Sequence, residues 1–61
     1  MTVYVVMEEI YNQEGMLGIC REQKTAKKLI EEMKTKMFEL HLESGRWKDF
    51  NYYTFEVETL D

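Results

Sequence analysis

Hydrophobic residues follow a strand-like spacing at both ends of the chain and a helical spacing in the middle. Residues 3–11 are rich in β-branched and aromatic types, which predicts a first strand. Both alternating sets of this segment are largely apolar, as is typical of a strand in the middle of a sheet. A second strand is predicted over residues 16–20, and Gly18 inside it indicates a bulge or the close approach of another element. Residues 12–15 supply turn chemistry between the two strands, and Gly15 is able to adopt a positive φ.

From Glu22 onward the apolar residues recur every three or four positions, which predicts one amphipathic helix over residues 22–44. Its start is poorly capped, because Glu22 or Gln23 stands where Ser, Thr, Asp or Asn is preferred. Its end is marked by Gly45, which we expect in the left-handed conformation. The apolar stripe consists of Ala26, Leu29, Ile30, Met33, Met37 and Leu40.

The last segment, residues 52–60, alternates cleanly and predicts a third strand after a loop over residues 46–51. Two strands, a helix and a strand fold most simply as a single α+β domain of ββαβ topology over residues 1–61. The strands then form a three-stranded antiparallel sheet in the order 2-1-3, with the helix packed on one face. We expect the helix to cover Val3, Val5, Met7, Leu17, Ile19, Tyr53, Phe55 and Val57.

Composition and charge set limits on the class of protein. With 61 residues, 44% of them hydrophobic, and a net charge of −4, the chain has the profile of one folded acidic domain, not of a general nucleic-acid binder. Cys20, the single cysteine, excludes an internal disulfide and a cysteine-based zinc site, and we expect a buried strand thiol. Because the sequence shows neither a secretory leader nor an apolar run of transmembrane length, we expect a cytoplasmic protein that does not enter a membrane.

Few residues in the chain could support catalysis. Ser44, His41 and Asp49 would form a hydroxyl–imidazole–carboxylate set only if the following loop returned Asp49 to the helix end, and no oxyanion-hole motif accompanies them. Glu39 and Glu43 flank His41 at a spacing of two, which cannot converge on one metal ion from a helix. The three glycines match no phosphate-binding loop. We therefore expect a protein that is not an enzyme and has no metal or other cofactor.

The second face of the sheet is the predicted binding surface. If the helix covers the Val3 side, the opposite face mixes tyrosine and aliphatic side chains with acids, whereas a solvated face normally alternates to polar residues. Tyrosine is favoured at interfaces, and the acids would attract a partner protein with a basic surface. The predicted partner-binding residues are Tyr4, Val6, Glu8, Ile10, Tyr52, Thr54, Glu56 and Glu58. The alternative is that strand register or twist hides these side chains.

Two further surfaces compete with this interpretation. Residues 21–36 carry six positive and three negative charges, so their basic start is either a solvated helix face or a contact for an anion or nucleic acid. That basic start comprises Arg21, Lys24, Lys27 and Lys28. Phe38 and Leu42 lie off the apolar stripe, so a continuous helix would expose them for a homodimer contact. The alternatives are a homodimer through the open sheet face, or Trp47 and Phe50 folding back over these two side chains.

The order of these segments resembles a group of small uncharacterised strand-strand-helix-strand proteins from bacteria and tailed bacteriophages. The segments that carry the resemblance are VYVV at 3–6, LGIC at 17–20, Ala26 in the helix and YYTFEVE at 52–58. The chain departs from the group by a longer helix, and by Arg21 and Glu22 where such proteins often place serine. The resemblance implies the fold and a phage or mobile-element origin. It suggests an accessory protein that modulates or inhibits a host factor in the host cytoplasm.

Overall fold

The computed structural model describes residues 1–60 as three strands, one α-helix and a short 3₁₀ helix. In chain order these are β1 (Thr2–Ile10), β2 (Gln13–Cys20), α1 (Gln23–Leu40), the 3₁₀ helix (Arg46–Asp49) and β3 (Phe50–Glu58). The sheet has the order β2-β1-β3 and every pair of neighbours is antiparallel, so the predicted α+β fold of ββαβ topology is confirmed. The most apolar strand occupies the centre, where neighbours on both sides shield it.

The turn that joins β1 to β2 is tighter than predicted. It consists of Tyr11 and Asn12, whose φ angles are 51° and 67°. Two-residue turns with positive φ at both central positions match the right-handed twist of the flanking strands. The predicted turn over residues 12–15 is therefore wrong, and Gly15 lies inside β2 with a φ that is not positive.

Gly18 adjoins an irregularity in the pairing of β1 with β2. Val6 pairs with Gly18, but the next pair along the strands joins Met7 to Met16. Leu17 is thus the extra residue of a β-bulge, which places Met16 on the face where regular pairing would put Leu17. The prediction of a bulge near Gly18 is confirmed.

The helix packs on the face of the sheet opposite to the one predicted. A Cβ added at Gly18 would lie 3.8 Å from Leu29 Cδ2, so α1 crosses the side that carries Gly18 and its partner Val6. Val6 and Ala26 are both fully buried, as expected of side chains between a helix and a sheet. The prediction that α1 covers the Val3 side is wrong. Leu29 lies on this side of Gly18, at a distance where an added Cβ would make an ordinary van der Waals contact.

The helix ends earlier than its pattern predicts. It spans Gln23–Leu40 instead of residues 22–44. Its N-cap residue Glu22 makes no side-chain capping hydrogen bond, which confirms the predicted poor cap. Gly45 has the expected left-handed φ of 71°, but it begins the 3₁₀ helix and does not end α1. Within residues 1–60, no helix combines the length and the apolar character that crossing a membrane requires.

Candidate functional site

One face of the sheet is not covered by the helix, and we call it the open face. Side chains alternate along a strand, so Val5 and its two cross-strand partners, Ile19 and Phe55, share this face. The same alternation assigns the residues around them. The open face comprises Val3, Val5, Met7, Met16, Ile19, Tyr53, Phe55 and Val57, with Glu9, Glu14 and Asn51 at the end nearest the β1–β2 turn. We call that end the hairpin end.

The open face is apolar, and its flanking strands are exposed. The exposed fractions of Met16, Ile19 and Phe55 are 62%, 59% and 45%. Val5, on the central strand between them, is shielded by its neighbours and is only 9% exposed. Single exposed apolar residues are ordinary on a protein surface, but a contiguous group that crosses three strands is uncommon on a monomeric protein.

The polar groups of the open face lie at its hairpin end. The Tyr53 hydroxyl donates a 2.9 Å hydrogen bond to Glu14 Oε1 and so bridges β3 to β2 across the central strand. Asn51 Nδ2 donates to Glu9 Oε1 at 3.4 Å. The hydrogen bond to the Glu14 carboxylate is the main cause that raises the pKa of Tyr53, with desolvation and the negative charges nearby adding to it. The apolar surface is therefore bordered by acids at one end.

The basic residues are confined to one layer of the molecule, whereas acidic residues occur in both layers. The strands contain two glutamates in β1, one in β2 and two in β3, and they contain no lysine or arginine. All eight basic residues lie between residues 21 and 48. Because α1 packs on the other side of the sheet, a partner at the open face would meet apolar and acidic groups.

The predicted partner-binding residues lie on the helix side of the sheet. These are Tyr4, Val6, Glu8, Ile10, Tyr52, Thr54, Glu56 and Glu58. Val6 is fully buried and cannot contact a partner, and Thr54 Oγ1 donates a 2.9 Å hydrogen bond to the carbonyl of Val5. The Tyr52 hydroxyl is buried without a hydrogen-bond partner among the described residues. This burial, reinforced by the charge of Glu8, raises the pKa of Tyr52.

The basic start of the helix is fully exposed. Arg21 lies in the connection from β2, and Lys24, Lys27 and Lys28 follow in the first turns of α1. In the described part of the chain, the ion pair that forms joins the amino group of Met1 to a Glu58 oxygen 4.0 Å away, so none of the four basic residues is paired. All four side chains are exposed to solvent.

The two off-stripe residues of the helix end have different environments. The Phe38 ring packs edge-to-face on Trp47 with 4.9 Å between centroids, so Trp47 folds back as one of the alternatives anticipated. Phe50 packs instead on His41, at 5.2 Å. Leu42 lies beyond the end of α1 and is 55% exposed. The predicted Phe38 and Leu42 contact surface is thus partly occupied by the protein itself.

The residues considered for catalysis serve the turn after α1. The Ser44 hydroxyl donates to the backbone carbonyl of His41 at 3.2 Å and accepts from the Arg46 amide at 3.3 Å. Both hydrogen bonds hold the backbone, and neither reaches the imidazole. Across residues 1–60, no group of three His, Cys, Asp or Glu side chains is placed to hold a metal ion.

Comparison with known proteins gives a family but no relative of known activity. No curated protein and no solved structure matches the chain. The model of one family, a domain of unknown function designated DUF7336, matches residues 1–61 and so covers the whole ββαβ unit. The chain therefore belongs to the DUF7336 family.

Proposed function

We propose that this chain is a small protein-binding domain that engages its partner through the open face of the sheet. The observation that carries the proposal is the contiguous apolar surface across all three strands, exposed at Met16, Ile19 and Phe55. Each square ångström of apolar surface removed from water contributes about 25 cal/mol to association. Covering this surface is therefore favourable, and leaving it bare promotes unspecific association.

The composition of the open face supports a protein as the partner. The cores of protein interfaces are enriched in aromatic residues and methionine and depleted in charge. Tyr53 and Phe55 lie side by side on this face with ring centroids 6.5 Å apart, and Met16 lies on the far strand. The acids Glu9 and Glu14 stand at one border, where polar rim residues of an interface are usually found.

The alternative, a nucleic-acid-binding module, would use the other layer of the molecule. It would bind phosphates through the basic start of the helix and would leave the open face uncovered. Protein binding accounts for the exposed apolar surface, which the alternative leaves unexplained. The charge-reversing double variant Lys24→Glu with Lys28→Glu distinguishes the two, because it should abolish nucleic-acid binding and leave protein binding unchanged.

A narrower form of the proposal is an accessory protein encoded by a phage, which acts on a host factor in the host cytoplasm. It is supported by the resemblance of the strand and helix segments to the small bacterial and phage proteins described above. A binding protein of this kind needs a recognition surface and no active site, in keeping with the residues of the chain.

Site-specific photo-crosslinking in cells tests the proposal. A photoreactive phenylalanine derivative replaces Phe55 on the open face in one variant and Leu42 in the control, two side chains of similar exposure. Illumination should give discrete protein adducts from position 55, since a side chain in an interface lies against a fixed partner. Position 42 should give a diffuse background.

The absence of any discrete adduct from position 55, and from a second variant with the probe at Ile19, would overturn the proposal. Adducts of equal yield from position 42 would do the same, because they would show that the open face has no preference over the rest of the surface. Circular dichroism on each purified variant checks that the fold is intact.

A further inference from the structure

The chain exposes more surface than a monomeric protein of its mass. Its accessible surface is 4841 Å² for a mass of 7.4 kDa. The scaling observed for monomeric proteins gives about 4,200 Å² at this mass, so the excess is roughly 600 Å². Each partner in a standard-size protein interface buries about 800 Å². The excess is therefore close to the area that one partner would cover.

The thin shape of the molecule agrees with a sheet that is covered on one face only. The Cα atoms span 45 × 21 × 11 Å, and the thin dimension corresponds to one sheet with one helix layer at the usual spacing of about 10 Å. A sheet with both faces covered would need another layer of that thickness. Face-to-face packing of a second sheet supplies such a layer, because two apolar sheet faces interdigitate at about 10 Å.

The open face is suited to contact a copy of itself. In a two-fold symmetric interface each patch must be complementary to itself, which favours an apolar patch over a charged one. The centre of the open face carries no charge, since Val5, Ile19 and Phe55 occupy it. A basic partner would instead require acids across the centre, and Glu9 and Glu14 lie only at the hairpin end.

The position of the acids selects one of two symmetric arrangements. A two-fold axis parallel to the strands would place both hairpin ends together and bring Glu9 and Glu14 of one copy against those of the other. Like charges brought together in an interface are strongly unfavourable. A two-fold axis that lies between the two sheets and runs perpendicular to the strands places each hairpin end over the opposite end of the other sheet. At that opposite end Val3 pairs with Val57.

We propose that a second copy of this chain covers the open face, with the two sheets packed face to face about a two-fold axis perpendicular to the strands. This inference rests on the proposed function, because it names the partner of the same surface. The dimer has both helix layers on the outside, where the basic start of each helix stays accessible.

Sedimentation equilibrium of the purified chain tests this inference, from about 1 μM to about 1 mM, a range that covers weak and moderate dimers. We expect a mass of twice 7.4 kDa at the upper end. Ile19→Lys should weaken the dimer at least about 100-fold, because symmetry buries two new charges. Phe55→Lys should act in the same direction. Leu42→Lys is the matched control, since Leu42 is 55% and Ile19 59% exposed, and it should leave the dimer intact.

Removal of the acids tests the arrangement of the two copies. In the proposed geometry Glu9→Gln and Glu14→Gln change the dimer affinity less than about threefold, because each acid lies at the rim of the interface, in contact with solvent and far from the acids of the other copy. Glutamine keeps an acceptor for the Tyr53 hydroxyl, so the hydrogen bond within each copy is retained. A tightening of about tenfold or more would show that the hairpin ends meet, which would overturn the perpendicular axis.

The outcomes separate this inference from the proposed function. A chain that stays monomeric at the highest concentration, but forms adducts from position 55 with a different protein, overturns the second copy and leaves the proposed function standing. A monomeric chain without adducts overturns both. A dimer that Leu42→Lys disrupts and Ile19→Lys does not would overturn the inference by placing the contact at the helix end.

Discussion

Among the glycines of the described residues, Gly45 is the one whose backbone conformation other residue types rarely adopt. Its φ is 71°, and a Cβ at this position would meet no atom within 4 Å. The cost of a side chain therefore arises within the local backbone and not from a clash with the rest of the protein. Gly45→Ala should lower the free energy of unfolding by about 1 kcal/mol, as expected for a residue forced into the left-handed region. Urea unfolding followed by circular dichroism measures this difference.

Gly15→Ala is the matched control for that substitution. Gly15 likewise has no atom within 4 Å of an added Cβ, but its φ is not positive. Within β2 an alanine reduces the entropy of the unfolded chain, so the variant should be as stable as the parent or slightly more stable. An equal loss in both variants would show that the left-handed φ of Gly45 is not the cause.

Ionisation of the Tyr52 hydroxyl makes the free energy of unfolding depend on pH in the alkaline range. Burial raises its pKa above the ordinary value of 10, so the folded state keeps the phenolic proton at pH values where the unfolded state has lost it. The contribution of Tyr52 to stability should be constant below pH 10 and fall as pH rises above 10. Tyr52→Phe should make this fall shallower, leaving the part due to Tyr53, and at pH 7 it should raise stability by up to about 1 kcal/mol by removing an unpaired buried hydroxyl.

Urea unfolding at several pH values between 8 and 11 gives this profile, and tyrosinate absorbance reports the ionisation directly. Tyr53→Phe is the comparison variant, since the Tyr53 hydroxyl that it removes donates a hydrogen bond to Glu14. A Tyr52→Phe variant less stable than the parent at pH 7 would mean that the Tyr52 hydroxyl has a partner after all.

The first turn of α1 could be stabilised further, because its N-cap residue makes no side-chain capping hydrogen bond. Glu22 has the extended backbone of an N-cap, φ −119° and ψ 138°, but its side chain makes no capping bond. Aspartate keeps the charge that the helix dipole favours and is short enough to cap. Glu22→Asp should raise the unfolding free energy by about 1 kcal/mol. The same change at exposed Glu39 should lower it by a few tenths of a kcal/mol, since aspartate is the poorer helix former.

Thermal unfolding of both glutamate variants beside the parent checks this prediction. Equal midpoints for Glu22→Asp and Glu39→Asp would show that the extra stability does not come from the cap.

At the level of elements, the fold was predictable because hydrophobic spacing is a local property of the chain. The strand and helix types and the order 2-1-3 followed from it, and β1 and β3 lie within two residues of the predicted strands. The β1–β2 turn was predicted at residues 12–15 and not at its true position because neither Tyr11 nor Asn12 is a glycine, the residue that most readily adopts a positive φ. Their positive φ values follow from the twist of the strands they join, which is a property of the sheet.

The face of the sheet that the helix covers could not be predicted from the hydrophobic pattern, for a different reason. The two alternating sets of side chains along β1 are both largely apolar, so alternation alone cannot decide whether Val5 or Val6 faces the helix. The bulge at Leu17 also changes which residues of β2 share a face. Gly18 was the residue that could have indicated the covered face, because a helix can approach a glycine closely. It does so only once its pairing with Val6 is known.

For the whole molecule, self-association should be visible in thermal stability. A 61-residue domain has a free energy of unfolding of only about 3–9 kcal/mol, so a dimer contact is a large part of the total. The unfolding midpoint should rise with concentration, by about 5 °C per tenfold increase. Leu42→Lys should behave like the parent, while the midpoint of Ile19→Lys should not depend on concentration. A parent midpoint that does not move would argue against the second copy.

The confinement of every lysine and arginine to residues 21–48 also determines how the protein can be cut. Trypsin cleaves after these residues, so residues 1–21 and 49–61 remain whole peptides that contain all three strands. A single cut after exposed Lys48 would leave β3 held by non-covalent contacts alone, chief among them its nine pairs with β1. A synthetic peptide of residues 49–61 should then exchange into the nicked protein, so that one strand can be isotopically labelled or chemically altered while the rest of the chain is left as it is.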